Sequence, residues 1–525
     1  MHWNFGDLLD VTAKCVPADR PALIQGDHVV TWSEFDQRTN RLARAMLSSG
    51  LEAGDRVAIM ARNIPEFIEI AAAAFKARLT HVNVNYRYNT AEIAHVLSDC
   101  SASLLFYQDE FSETVQPLMS QLEHLKLIIN IDGDDDQFNE LVTSGDGKPL
   151  DIKRSPDDGY LLYTGGTTGN PKGVMWRSED ARQVQLEAPT IKHPISSLDE
   201  HIEFVENNTS PGRCIPACPL MHGAGLNSSM AELLGGGTAI LLPSNSFKAE
   251  ELWDEVERNQ ATRVLIVGDV FARPMAEALE ANPGKWDLSS MRVMSSSGLM
   301  WSRETKHALI KAMPNITLVD ILGASEASGF GYAITNKDSE TPTGFFEPGK
   351  NTVLIEVDTD RILDDDEVGE GWLARKEPFA AGYYGDPEKT AQVYRTINGV
   401  KYAVPGDKAA RNESGRLQLL GRDNMCINTG GEKVFVEEVE ESLKRAPGIS
   451  DAMVVGVPDE KWGSKVVALI LPGTDFKEEE VKLAIAKDLA AYKLPKKFIL
   501  LETMPRHASG KGNYRSAKEI AQKSL

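Results

Sequence analysis

The sequence predicts an α/β protein: a large body with mainly parallel sheets, followed by a small α+β domain at the C-terminus. Three observations predict it. Short apolar runs alternate with amphipathic helical stretches along most of the chain, the pattern of α/β architecture. The 525 residues are too many for one small domain and enough for a deep core. After Gly421-Arg422 the alternation gives way to a shorter mixed pattern.

Taken in order, residues 56–61 (RVAIMA), 103–107, 127–131, 160–163, 238–242, 263–267, 292–295 and 316–320 read as buried strands. Residues 33–47, 65–76, 91–97, 249–258 and 303–313 carry helical spacing. Residues 187–211 and 336–350 have few periodic signals and read as surface excursions. Near the C-terminus, 434–445 and 478–489 read as helices, and 452–457, 465–471 and 497–501 as strands of a small sheet. The expected domains are 1–422 and 426–525, joined at 423–425.

Composition narrows the function. Hydrophobic residues make up 42% and charged residues 25%, the balance of a soluble globular protein. The net charge of −21 argues against a nucleic-acid binder. No apolar run approaches the ~18 residues of a membrane span. The opening MHWNFGDLLD has neither a basic nor an apolar signal region, which predicts a cytoplasmic protein. Five cysteines, at 15, 100, 214, 218 and 426, are too few for a disulfide scaffold. Cys214 and Cys218 have no second pair nearby and read as core thiols.

The strongest chemical signal is YTGGTTGNPKGV, residues 163–174. A strand leads into it. Gly165, Gly166 and Gly169 let backbone N–H groups approach a polyanion. Thr164, Thr167 and Thr168 add hydroxyls, and Lys172 adds a cation. A triphosphate needs that combination. A plain glycine turn between strand and helix would not require so many donors. The segment is not a Walker A loop, because no Gly-Lys-Ser/Thr occurs in the chain. That excludes a P-loop kinase.

This segment resembles the phosphate loop of the adenylate-forming superfamily, with Gly165 where serine is usual. Further blocks follow in the family's order. Residues 219–225 (PLMHGAG) resemble the segment lining the acyl pocket, and Ser297-Gly298-Leu299 the pocket-wall strand end. Asp320-Ile321-Leu322-Gly323-Ala324-Ser325-Glu326 resembles the Asn-x-Tyr-Gly-x-Thr-Glu segment. Residues 369–376 and 382–389, Gly406-Asp407, Leu420-Gly421-Arg422, Gly430-Gly431-Glu432-Lys433 and Ser509-Gly510-Lys511 match the remaining blocks. The resemblance thus covers essentially the whole chain.

It implies two stacked α/β sheet subdomains plus a smaller β-subdomain, with a small mobile α+β C-terminal domain hinged at Asn424. It implies an AMP-forming acyl-CoA synthetase. ATP activates a carboxylic acid as acyl-AMP with release of pyrophosphate, and coenzyme A then takes the acyl group. Asp320 would accept the adenine amino group, and Leu322 would replace the usual aromatic face. Ser297, Gly298, Ile321, Gly323, Ala324 and Ser325 would line the nucleotide. Glu326 would ligate Mg²⁺, which prefers oxygen ligands. Asp407 would hold the ribose hydroxyls and Arg422 the ribose or phosphate. Lys511 would stabilise charge on the α-phosphate. His222 would border the carboxylate and the thiol channel. Gly430 and Gly431 would face the pantetheine tunnel.

Residues 82–88 (VNVNYRY), 173–177 (GVMWR) and 427–434 (INTGGEKV) resemble the actinobacterial-type fatty-acid and steroid side-chain ligases. The small residues Gly223, Ala224, Gly225, Ser228 and Ser229 predict room for a medium-to-long, branched or bulky acyl group. A homodimer is expected from that branch. The alternatives are an acyl-AMP ligase that loads a carrier protein and an aryl-acid CoA ligase. The spacing from Glu326 to Asp407 leaves no inserted segment of the kind that marks the former. A non-catalytic binder would be expected to lose Lys511, Glu326 or the phosphate loop, and all are present.

Overall fold

The computed structural model describes all residues except 1–2, 89, 120, 167–168, 190, 192–194, 300, 423–425, 430–431, 460–462, 488, 490, 492 and 508–509. The chain forms two compact units. The first is Met1–Thr352 with Arg375–Ala403; the second is Val353–Ala374 with Val404–Leu525. The small antiparallel sheet of Gly369–Lys376, Asp407–Arg411 and Leu417–Arg422 therefore falls largely within the second unit. The expected joint at 423–425 lies outside the described residues.

Two large sheets build the first unit. One orders its strands Gly382–Tyr383, Gly169–Arg177, Gly159–Gly166, Thr80–Asn83, Arg56–Met60, Leu104–Tyr107 and Leu127–Asn130. From Gly159–Gly166 to Leu127–Asn130 every pairing is parallel. The other runs Phe345–Pro348, Gly331–Thr335, Thr317–Leu322, Val293–Ser297, Arg263–Ile266, Arg213–Pro216, Thr238–Leu241, Pro21–Gln25 and His28–Thr31. It is parallel in its middle and antiparallel at both ends. Such sheets bury both faces, so their strands read as unbroken apolar runs. Val57, Ala58 and Ile59 are fully buried, as are Leu105 and Phe106.

Helices follow from the same logic. Trp32–Ser48 starts in a capping box, with Thr31 and Glu34 each bonding the other's backbone N–H. Pro65–Lys76 begins with proline at its first turn, where no N–H is needed. The stretch 187–211, expected to be an irregular excursion, contains the helix Leu198–Glu206. Ser197 caps it, and its buried residues are only His201 and Val205, too sparse a stripe to register as periodicity.

In the second unit a three-stranded sheet, Ile449–Asp459, Gly463–Pro472 and Lys497–Leu500, buries both faces. Ala452 and Val454 face one core with Val439 and Leu443; Met453, Val455 and Val457 face the other with Ala517 and Ala521. The helices Val436–Arg445 and Glu478–Ile485 contribute to the first core and Tyr514–Lys523 to the second.

His81 marks a cost inside the first unit. It is fully buried against Phe67 and Phe75, and neither ring nitrogen has a hydrogen-bond partner among the described residues. Burial pushes its pKa from 6.5 down to about 3. Between those values the unfolded chain binds a proton there and the folded chain does not. Stability therefore falls as pH drops below 6.5, by about 1.4 kcal/mol per pH unit from this residue. Urea unfolding followed at pH 7.5 and pH 5.5 (about two units apart) is expected to show a smaller acid loss in His81→Phe than in the parent.

Candidate active site

The phosphate-loop segment is an antiparallel hairpin, not a strand-to-helix turn. Gly159–Gly166 pairs with Gly169–Arg177 in the register Leu162 to Val174, Tyr163 to Gly173, Thr164 to Lys172 and Gly166 to Gly169. A bulge falls between Thr164 and Gly166. Thr167 and Thr168 lie outside the described residues. A Cβ on Gly173 would come within 2.8 Å of the Tyr163 ring, so the return strand needs glycine there. Lys172 is half exposed and pairs at 2.5 Å with Asp386, which also caps the helix Pro387–Val393. That lysine and the Lys389 N–H hold the Asp386 carboxyl below the usual carboxylate range.

Asn83 ties the hairpin to the His222 segment. Its Oδ1 accepts from Tyr163 N at 2.8 Å, and its Nδ2 donates to Met221 O at 2.5 Å and Tyr163 O at 3.3 Å. Asn63 does similar work upstream. Its Nδ2 donates to Pro216 O and Cys218 O, and its Oδ1 accepts from Leu220 N. His222 stands at the N-cap position of the helix Gly223–Leu234 without a side-chain cap bond, its own N–H bonded to Pro219 O.

The small residues after His222 do not open space as expected. A Cβ on Gly223 would come within 2.8 Å of a Leu162 methyl, and one on Gly225 within 2.5 Å of Pro219 O. Ser228 and Ser229 both turn their hydroxyls onto Gly225 O. These residues let the helix pack tightly against the Pro219 segment and the hairpin. Cys214 and Cys218 are buried, and burial pushes the Cys218 thiol up to about 12.

The second sheet supplies the other wall. Ser297 pairs with Ile321 and Ser296 with Asp320, so both strand ends arrive together. Gly298 turns the chain away at φ +92°, the left-handed region that favours glycine. Thr317–Leu322 and Gly331–Thr335 form a hairpin whose loop carries Gly323, Ala324, Ser325 and Glu326. Trp176 Nε1 donates to Ser325 O at 2.8 Å, so the phosphate hairpin and this loop are joined directly. Glu326 accepts a short hydrogen bond from the Tyr383 hydroxyl, while its backbone oxygen takes Ala380 N and the Tyr394 hydroxyl.

Asp320 has a partner that the sequence reading missed. Lys306, on the helix Arg303–Ala312, is almost wholly buried and pairs with the Asp320 carboxylate. The ammonium also sits 5.5 Å from the Trp301 ring centroid. Asp320 itself keeps a 14% exposed edge. Burial pushes its carboxyl up to about 6, and Lys306 pulls the other way.

In the second unit Asp407 and Arg422 are register partners on neighbouring strands. Lys511 is exposed on a turn in which His507 N donates to Lys511 O at 2.8 Å. Arg506 braces that turn. It donates to Gly510 O at 3.0 Å and grips both oxygens of Asp451 at 2.7 Å. Asn424, Gly430, Gly431 and Ser509 lie outside the described residues.

The fold is that of the adenylate-forming enzymes. An anthranilate CoA ligase in complex with anthranoyl-AMP superposes with a TM-score of 0.84 at 21% identity, over 99% of this chain and 98% of that one. ATP-bound MatB from Rhodopseudomonas palustris gives 0.81 at 22%, over 98% and 99%. Sequence comparison adds the family. The AMP-binding enzyme model matches residues 9–384, and the AMP-binding enzyme C-terminal domain matches 438–511. The chain belongs to the AMP-binding enzyme family. It is 36% identical to the medium-chain acyl-CoA ligase Mig of Mycobacterium avium, covering 97% of each chain. It is 35% identical to a 3-oxocholest-4-en-26-oate–CoA ligase of Rhodococcus rhodochrous, over 99% of this chain and 96% of that one.

Removing one partner of a buried ion pair leaves the other charge uncompensated. Lys306→Met is therefore expected to destabilise the first unit by about 3 kcal/mol, and Asp320→Asn added to it to restore much of the loss. Urea titration of the two single variants and the double variant checks this.

Proposed function

We infer that the protein is an acid–thiol ligase of the AMP-forming type, an acyl-CoA synthetase, and propose a medium- or long-chain fatty acid or a steroid side-chain acid as its substrate. The observation that carries this reading is the full-length similarity to ligases named for such acids.

The chemistry assigns each residue a task. A carboxylate is a poor electrophile, because attack on it would have to expel oxide. Its oxygen first attacks the α-phosphorus of ATP, and pyrophosphate leaves. The CoA sulfur then attacks the acyl carbon of the mixed anhydride, and AMP leaves. Backbone N–H groups of Gly165, Gly166 and Gly169, the hydroxyls of Thr164, Thr167 and Thr168, and Lys172 hold the phosphates. Lys172 exchanges Asp386 for the more highly charged triphosphate. Asp320, its inner oxygen fixed by Lys306, offers its exposed edge to the adenine amino group. Ile321, Leu322, Ser297 and Gly298 line the base, with aliphatic packing at Leu322.

Asp407 accepts from the ribose hydroxyls, and Arg422 contacts the ribose or phosphate. Glu326 would hold a divalent cation accompanying ATP through a carboxylate oxygen, and such an ion would supply charge neutralisation at the phosphates. Lys511, on its braced turn, stabilises charge at the α-phosphate in the first step. In the second step residues 426–525 rotate about 423–425, and Gly430 and Gly431 face the pantetheine. Cytoplasmic location and a homodimer belong to the same proposal.

The test uses purified protein, ATP, Mg²⁺ and acids from propionate to palmitate, with aryl acids and a steroid side-chain acid. AMP formation is expected to require both CoA and a fatty or steroid acid. Lys511→Ala is expected to slow adenylation roughly 100-fold while leaving thioester formation from supplied acyl-adenylate intact. A preference for aryl acids, or AMP release without CoA-driven turnover, contradicts the reading.

A further inference from the structure

Glu326 is held at both its backbone and its side chain by one segment, residues 380–394. Its backbone oxygen accepts from Ala380 N at 3.1 Å and from the Tyr394 hydroxyl at 3.2 Å. Its side-chain Oε1 accepts from the Tyr383 hydroxyl. Of these three bonds, only the one from Tyr383 acts on the carboxylate itself.

The phosphate hairpin places Tyr383 for this contact. The short strand Gly382–Tyr383 pairs with the return strand of the hairpin, Gly382 to Met175 and Tyr383 to Val174. On either side, Ala381 N donates to Met175 O at 2.7 Å and Tyr384 N to Gly173 O at 2.8 Å. Tyr383 N donates to Thr390 Oγ1 at 2.9 Å, and that hydroxyl donates to Asp386 O at 2.8 Å. The Tyr383 side chain is buried, its ring 6.4 Å from that of Tyr394. A buried tyrosine carries its hydroxyl to a partner, and here the backbone and ring that carry it are both fixed.

A hydroxyl on one oxygen of a carboxylate has two consequences. The bond is charge-assisted, so it is strong enough to set the direction of the carboxylate. It also occupies lone pairs that a two-oxygen grip on a cation would use. One remaining oxygen suits an ion that takes one or two carboxylates, keeps several waters and completes its shell on phosphates, as Mg²⁺ does; Ca²⁺ takes more ligands and often both oxygens of a carboxylate. Glu326 is half-buried, and its loop is joined to the phosphate hairpin through Ser325 and Trp176, so its donor set fits the former kind of ion.

Resting on the assignment of Glu326 as the cation ligand, we propose that Tyr383 is a positioning residue: its hydroxyl holds Oε1 and leaves the other carboxylate oxygen to the divalent cation that accompanies ATP. Groups that orient a metal ligand in this way typically change metal affinity by about 10- to 100-fold when removed.

The test is Mn²⁺ binding to the full chain with a non-hydrolysable ATP analogue, followed by electron paramagnetic resonance, with protein in excess over nucleotide and neither acid nor CoA present. Tyr383→Phe keeps the ring and is expected to weaken Mn²⁺ binding to the protein–nucleotide complex roughly 10-fold, with Tm and metal-free nucleotide affinity close to the parent. Tyr394→Phe leaves the Glu326 backbone held by Ala380 N and is expected to weaken Mn²⁺ far less. Glu326→Gln is expected to weaken it at least as much as Tyr383→Phe. Parent-like Mn²⁺ affinity in Tyr383→Phe, with Glu326→Gln impaired, overturns the proposal and leaves the ligand assignment standing. No loss in Glu326→Gln overturns both. Equal losses in the two tyrosine variants mark a packing effect and also overturn it. None of these outcomes depends on which acid is activated.

Discussion

Loops that leave the ends of parallel strands must satisfy backbone groups that no longer have a ladder partner, and an unpaired buried amide costs about 1–3 kcal/mol. In this chain one buried side chain meets that requirement for two loops of the candidate site. Asn83 bonds Tyr163 N and O, where the phosphate hairpin leaves the sheet, and Met221 O, one residue before His222. Asn63 extends the same bracing to Pro216, Cys218 and Leu220. The hairpin at Tyr163 and the segment at Met221, next to His222, are thereby coupled through hydrogen bonds of 2.5 to 3.3 Å. Trp176 carries the coupling on to Ser325, and so to Glu326 and the end of the Asp320 strand.

Three charged residues of the candidate site in the first unit each have a partner within the chain. Lys172 holds Asp386, Asp320 holds Lys306, and Glu326 takes the Tyr383 hydroxyl. Buried or half-buried charge is tolerated only when paired. The consequence for binding differs between them. Lys172 and Asp386 are both partly exposed, so screening makes their pair easy to exchange. Lys306 is almost wholly buried and has no alternative, so it stays with Asp320 and orients it.

Much of this was legible in the sequence because burial on both sheet faces writes continuous apolar runs. The strands at 56, 104, 127, 238 and 263 begin within a residue of where those runs begin. The return strand of the phosphate hairpin was not legible, since its Gly-Asn-Pro-Lys-Gly start is turn chemistry even though it pairs as a strand. Motif residues 320–326 and 164–172 could be named from their pattern. Their supports could not. Asn83 and Lys306 are polar residues on a strand and a helix, and only tertiary contact distinguishes them from surface residues. The glycines after His222 misled for the same reason: whether a missing side chain leaves a hole or admits a neighbour depends on what lies opposite.

The central claim is that carboxylate activation on this scaffold is a separate step that precedes thiol attack. It is tested most directly by acid-dependent exchange of labelled pyrophosphate into ATP with no CoA present. The account predicts exchange that requires a fatty or steroid acid and proceeds without CoA, because acyl-adenylate formation is reversible on the enzyme. Absence of exchange until CoA is added, or formation of ADP and phosphate in place of AMP and pyrophosphate, would contradict it.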